Sequence, residues 1–334
     1  MGLEQATLEP VEAAEVTVVV DNFVDMLLLD DRVARRPHRR EDAFERPALR
    51  AEHGYSLLLT VTTAGGERSS ILYDAGIGRD TAVHNLDVLE VRPADLRAVV
   101  LSHGHVDHHA GLEGVLRRLG RPGLPLVLHP DAWRERRVVF PTGEMLRLPP
   151  PSATDLEAEG VKVVEERGPS LLVDGRVLVS GQTERVTEFE KGFPIQQARG
   201  AGGDWEPDPW VWDDQSVVVH VRGLGLVVLS ACSHSGAINV LHQARRATGV
   251  EEIHAFVGGL HLSGGLFEGI IGPTVGELSA MGLAWVAPGH CTGWRATHAL
   301  AATLPDAYLQ GSVGTTFKFE APAADTAEVR GNLG

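Results

Sequence analysis

Apolar runs divide the chain into a first group of strands, a middle stretch of weak pattern, and a second group in which strands alternate with helices. Residues 15–20 form a short β-rich run ending at Asp21-Asn22. A stronger strand covers 55–62, Ala64-Gly65-Gly66-Glu67 reads as a hairpin turn, and 70–73 is its partner, ending in Asp74-Ala75-Gly76. Residues 87–96 lead back to the apolar run 98–101, which reads as a buried strand. Leu112, Val115, Leu116 and Leu119 then recur at helical spacing, and 124–129 is another strand candidate. Residues 26–31 and the Arg-rich stretch 32–40 read as a solvated surface loop.

Between 130 and 212 the periodicity weakens. Pro149-Pro150-Pro151 marks a break, and 170–173 with 176–180 flank Asp174-Gly175 as a hairpin. The Gly-rich piece 200–212, with Trp205, Trp210 and Trp212, reads as a long irregular loop. The expectation is an insertion at about 130–212 covering one side of a site mouth, its tryptophans lining that mouth or anchoring the packing. Order returns with a hairpin of 216–221 and 226–230, a helix over 237–248 and a strand over 253–257. A helix over 274–281, a strand over 283–287, a helix over 297–304 and a strand over 313–319 follow. Residues 322–334 read as a disordered tail. Two interleaved halves, 15–129 and 216–319, fit an α/β fold of one domain: two sheets face to face with helices outside, αββα.

The bulk numbers narrow the role. With 334 residues, 43% of them hydrophobic, the chain can bury a sizeable core. A formal charge of −15 argues against nucleic acid or an anionic membrane surface as the main partner and leaves small molecules. No apolar run approaches the length of a bilayer span, and the acidic stretch 1–14 lacks a basic n-region with an apolar core. Cys232 and Cys291 alone make no disulfide framework, so the expected compartment is the cytoplasm.

The candidate chemistry is concentrated in Ser102-His103-Gly104-His105-Val106-Asp107-His108-His109, a loop between the strand 98–101 and Gly111 with its helix. His103 and His105 alternate and can point one way from an extended backbone, while Asp107 and His108 lie past the bend. Imidazoles with a carboxylate suit zinc, iron or manganese better than magnesium or calcium. Other strands end in potential ligands too: Asp74, His234, His261 and His290.

The His-x-His-x-Asp-His pattern resembles the signature of the metallo-β-lactamase fold superfamily, whose αββα sandwich is then the expected fold. Asp74-Ala75-Gly76 is similar to that family's Asp-Thr-Gly motif, in which the aspartate supports the metal loop by hydrogen bonds and binds no metal. Pro288-Gly289-His290 resembles its last metal motif. Glu52-His53-Gly54, Cys232-Ser233-His234-Ser235-Gly236, Gly258-Gly259-Leu260-His261 and the run from Pro288 to Gly293 together resemble the subgroup called dihydropterin-ribofuranosyl-aminobenzene phosphate synthase-like hydrolases. The likeness implies two divalent ions, zinc first, with iron or manganese as alternatives. His103, His105 and His234 would hold one; Asp107, His108 and His290 would hold the other.

Where the family carries a bridging aspartate, this chain has Cys232; Cys232, Asp214 or water is left to take that place, with Cys232 read first as a small buried residue. Two metals about 3.5–4 Å apart would hold a hydroxide for attack on an ester, lactone, thioester or phosphoester, with Asp107 orienting the nucleophile. Iron-based redox chemistry on the same ligands, or a non-enzymatic sensor that keeps the metal, are the alternatives. His53 and His261 are expected to line the substrate pocket, and His261 has a rival role as last ligand in place of His290.

Overall fold

The computed structural model describes residues 5–37 and 45–323. The expected disordered tail lies, from 324 on, outside the described residues, as do residues 38–40 of the Arg-rich stretch.

Eight strands make the first sheet, in the order Ala34–Arg35, Thr316–Glu320, Ala13–Val20, Ser56–Thr62, Arg68–Tyr73, Leu96–Val100, Pro125–Leu128, Lys162–Glu165. Six make the second, in the order Ser170–Leu172, Val177–Val179, Val217–Val221, Gly225–Ser230, Ile253–Gly259, Trp285–Gly289. Each sheet is antiparallel on one side and parallel on the other.

Side-chain alternation explains why the two sheets stack. On the second sheet, Val217, Val219, Val221, Val227 and Leu229 face inward and meet Val16, Leu57, Leu59, Ile71, Tyr73 and Val100 of the first. The residues between them face outward: Val218, Leu226, Val228 and Phe256 pack on the helices Ala237–Thr248, Ile271–Met281 and Trp294–Thr303. On the other side, Leu58, Leu72 and Val99 pack under Thr81–Val88 and Leu112–Leu119. Each large aliphatic side chain so buried contributes about 1.5–3 kcal/mol. The result is the αββα sandwich.

Three details differ from the sequence expectation. The helix Thr81–Val88 was not foreseen; it is short, and its buried face is carried by Ala82, Asn85 and Leu86, a weak apolar signal. The last strand crosses over, pairing with Ala13–Val20 in the first sheet, so the halves interlock. The middle stretch is also more ordered: Lys162–Glu165 extends the first sheet, and 170–179 extends the second. Four more strands form a small sheet of their own, in the order Trp205–Pro207, Gln196–Arg199, Arg136–Val139, Met145–Leu148. Trp205 is a packing anchor there, held between the guanidinium groups of Arg137 and Arg199. Among the described residues no helix is long and apolar enough to cross a membrane.

Candidate metal centre

The strand Leu96–Val100 is buried except at Arg97, so its carboxyl end is a fixed platform. The chain leaves it extended, with His105 at φ −83° and ψ 143°, which sets His103 and His105 on one side. The single turn Val106–His109 then swings Asp107 and His108 towards a second point. It turns His109 away, its Nε2 lying 3.1 Å from the Pro149 carbonyl oxygen. Gly104 is required between the histidines: a Cβ would run into the Ala132 carbonyl and stand 2.8 Å from Arg136 Nη1.

Hydrogen bonds fix which nitrogen each ring keeps free. Ser102 Oγ donates to Asp74 Oδ2 at 2.6 Å, which leaves its oxygen to accept from His103 Nδ1 at 2.8 Å. His108 Nδ1 donates to the same carboxylate at 2.7 Å. Gln196 donates its amide to Asp208 at 3.2 Å, so its Oε1 accepts from His105 Nε2 at 2.6 Å. His103 and His108 therefore keep Nε2 free, while His105 Nδ1, 3.0 Å from His234 Nε2, is left to accept from that ring. His103 Nε2, His108 Nε2, His234 Nδ1 and both nitrogens of His290 are buried without a hydrogen bond. Buried polar atoms of that kind are costly unless another partner is provided.

The second sheet brings up the rest. Gly225–Ser230, Ile253–Gly259 and Trp285–Gly289 are parallel neighbours, so the residues after them, Cys232 to His234, His261 and His290, emerge along one edge. Asp74, Ser233, His261 and His290 all adopt left-handed backbone, with φ of 64°, 53°, 48° and 49°. That conformation costs about 1–3 kcal/mol at each non-glycine residue, and it turns the chain sharply at the strand ends.

The donor atoms of His103, His105 and His234 all lie within 4.8 Å of one another, and so do those of Asp107, His108 and His290. Cys232 stands between the two triads. Within the same limit it joins His103 and His108, then His234 and His261, then His290 and Cys291. The fit to a cation is one of donor chemistry: imidazole nitrogens, one carboxylate and a thiol, none of them paired with an arginine or a lysine.

The electrostatics of the two triads differ. Burial pushes His103 and His234 well down, and His105 to about 3, so these rings are neutral with no proton to displace. Burial also disfavours the charged form of His108, but the carboxylates of Asp107 and Asp74 outweigh it and raise that ring to about 9. Burial opposes ionisation of Asp107 in turn, yet His108 and His290 hold it well below the usual carboxylate range. The second triad is thus a negative seat that favours positive charge.

Residues 50–246 match the sequence pattern of the metallo-beta-lactamase superfamily, which is more than half of the chain. The protein belongs to the metallo-beta-lactamase superfamily. Its match includes the histidine loop and His234, and the αββα sandwich agrees with it. The chain is 26% identical over 272 residues to the 7,8-dihydropterin-6-methyl-4-(beta-D-ribofuranosyl)-aminobenzene-5'-phosphate synthase of Methanocaldococcus jannaschii, covering 80% of this chain and 90% of that one. An uncharacterized protein of the same organism is 27% identical over 249 residues, 74% of this chain and 86% of its own. Among solved structures, the fold is similar to that of Tm1679, a metal-dependent hydrolase of the beta-lactamase superfamily. The TM-score is 0.67 and the identity 22%, covering 92% of this chain and 99% of that one.

Within this superfamily member the supports around the triads are as telling as the triads. Asp74, at the end of Arg68–Tyr73, accepts from the Ser102 amide at 2.6 Å as well as from Ser102 Oγ and His108. Asp214 accepts from the Ser235 amide at 2.7 Å and hydroxyl at 2.6 Å, so it holds the His234 loop, and its carboxylate belongs to neither triad. Asp21 accepts from the His290 amide at 2.8 Å. Asp213 accepts from the Gly104 amide at 2.8 Å and from fully buried Arg136, which also donates to Asp208 at 2.8 Å. Sequence reasoning missed Asp21, Asp213, Arg136 and Gln196 as parts of the site. Asp21 alone carried a signal, a carboxylate closing a strand.

His53 lies on the open side of the cluster, 69% exposed, with Nε2 3.6 Å from Asp107 Oδ2 and its ring 5.2 Å from that of His290. His261 lies deeper: its ring is 4.0 Å from His234, and its Nδ1 is 3.3 Å from Cys232 Sγ. Phe193 and Phe267 wall this side, with Phe193 stacked on His234 at 5.8 Å and Phe267 against His261 at 4.3 Å.

Proposed function

We propose that the protein is a hydrolase that holds two divalent ions, one on His103, His105 and His234 and one on Asp107, His108 and His290. Its substrates would be small molecules with an ester, lactone, thioester or phosphoester bond. The observation that carries this reading is the convergence of two neighbouring donor triads in a superfamily member, with buried, unpartnered ring nitrogens on His103, His108, His234 and His290. When bound, such ions supply Lewis acidity towards a carbonyl or phosphoryl oxygen and lower the pKa of water.

The protein's own residues do the rest. Asp74 locks the tautomers of His108 and, through Ser102, of His103. Asp107, ionised and 19% exposed beside fully buried His108 and His290, is the donor open to solvent, and it is placed to orient an incoming water by accepting a hydrogen bond from it. His53, beside Asp107 at the rim, is placed to meet the substrate. Phe193 and Phe267 provide an apolar wall that excludes water from the His234 side.

Phosphorylated substrates are favoured by one finding: the 26% identical relative is a synthase of a ribofuranosyl-aminobenzene phosphate. A panel of ester, lactone, thioester and phosphoester substrates, run with zinc-, iron- and manganese-loaded protein, tests the proposal. Turnover that needs the metal and is lost in Asp107→Ala is expected. Metal-replete protein inert across the panel would overturn hydrolysis.

A further inference from the structure

Resting on the two-ion reading above, we propose that Cys232 is a ligand shared by both ions, its thiolate standing where a bridging carboxylate would otherwise stand. The argument begins with position. Cys232 Sγ is grouped with His103 and His108, one from each triad, all three donor atoms within 4.8 Å of one another. It is grouped at the same range with His234 of the first triad and with His290 of the second. Among the described residues no other cysteine or carboxylate shares such groups with members of both triads. The alternative carboxylate, Asp214, belongs to no such group: its Oδ2 is engaged by the Ser235 amide and hydroxyl, and its Oδ1, buried without a partner, is not within that range of two triad donors.

Independent evidence comes from the groups facing that sulfur. His103 Nε2 and His108 Nε2 are the nitrogens left free after their Nδ1 atoms bind Ser102 and Asp74, and both are buried with no partner. They and Cys232 therefore bound a space that a cation fits on chemical grounds.

Charge points the same way. Two divalent ions bring four positive charges into a buried site, and the two triads supply one carboxylate, Asp107, with five imidazoles. Buried charge needs compensation close by. The Asp213 carboxylate is already engaged by Arg136. A thiolate at Cys232 adds a second anion in contact with both ions, and a coordinating thiol loses its proton outright. Cys291 Sγ lies 3.0 Å from Cys232 Sγ and donates to the Cys232 carbonyl oxygen at 3.4 Å, so it is the second thiol that the test must separate from Cys232. A sulfur ligand also alters the expected metal: thiolate with imidazole favours zinc or iron over manganese.

Cobalt(II) titration of the full-length protein tests this, with the near-ultraviolet thiolate-to-cobalt charge-transfer band as the readout. Wild type should bind two cobalt ions per chain and show the band. Cys291→Ser should keep it. Cys232→Ser should lose it and bind at least one ion about tenfold more weakly, while Cys232→Asp should regain affinity without the band. X-ray absorption on the zinc-loaded wild type needs no variant and should find one sulfur at about 2.3 Å. Two bound ions with no band and no sulfur scatterer would overturn the Cys232 assignment and leave the two-ion reading standing. A band lost in Cys291→Ser and kept in Cys232→Ser would move the ligand to Cys291. Failure of wild type to bind two ions would overturn both readings.

Discussion

The two triads sit side by side but are built from different material. His103, His105 and His234 are three neutral rings, wholly buried, and one of them is held from outside the sandwich: Gln196 of the small sheet fixes His105. Asp107, His108 and His290 include the only carboxylate of the six, reach solvent through it, and are held by Asp74 and Asp21 at strand ends of the first sheet. The difference teaches a division of labour. The first triad is a closed seat whose geometry depends on the 130–212 stretch. The second is the open seat, reaching solvent through the Asp107 carboxylate, where under the proposed function a substrate and a water would meet the protein.

The largest expected effect comes from the open seat. Asp107→Ala should reduce kcat by about 10³-fold, with the fold unchanged by circular dichroism and the metal content lowered. Near-wild-type kcat would erase the contrast between the seats.

Next is the brace behind the closed seat. Arg136 is fully buried between Asp208 and Asp213, so Arg136→Met leaves buried Asp213 with no ion-pair partner and Asp208 with Arg134 at 3.4 Å. Breaking a buried pair of this kind costs about 3–5 kcal/mol, which denaturant unfolding would register directly. Within the same brace, Gln196→Ala should weaken the ion on the His103 triad about 10–100-fold and leave the other unchanged. Equal losses at both ions, read by competition with a chromophoric chelator, would mean the seats are not separately supported. The smallest effect is at the rim: His53→Ala should change kcat/KM by about tenfold, near 1.4 kcal/mol, with no change in metal content.

The same contrast marks what could be read from the sequence. The histidine loop is contiguous, so its ligand-type side chains stand out without any knowledge of the fold. His234 and His290 were legible because each closes an apolar strand, and so was Asp74. The supports were not. Gln196 and Arg136 lie 91 and 31 residues from His105 in sequence and reach the loop only through a sheet of short, half-exposed strands with poor periodicity. Asp214 was legible only as one candidate for the bridging place, and Asp213 not as a support at all, because their partners, Gly104, Arg136 and Ser235, are set by topology. The helix Thr81–Val88 escaped for a related reason: Asn85 is buried by hydrogen bonds to Val19 and Arg50, which no apolar pattern reveals.

The most direct test of the two-seat account is a metal count per chain on protein purified anaerobically after metal-replete expression. Wild type should carry about two transition-metal ions, and His234→Ala and His290→Ala about one each, every variant folded. Fewer than one ion in wild type, or two retained in both variants, would contradict it.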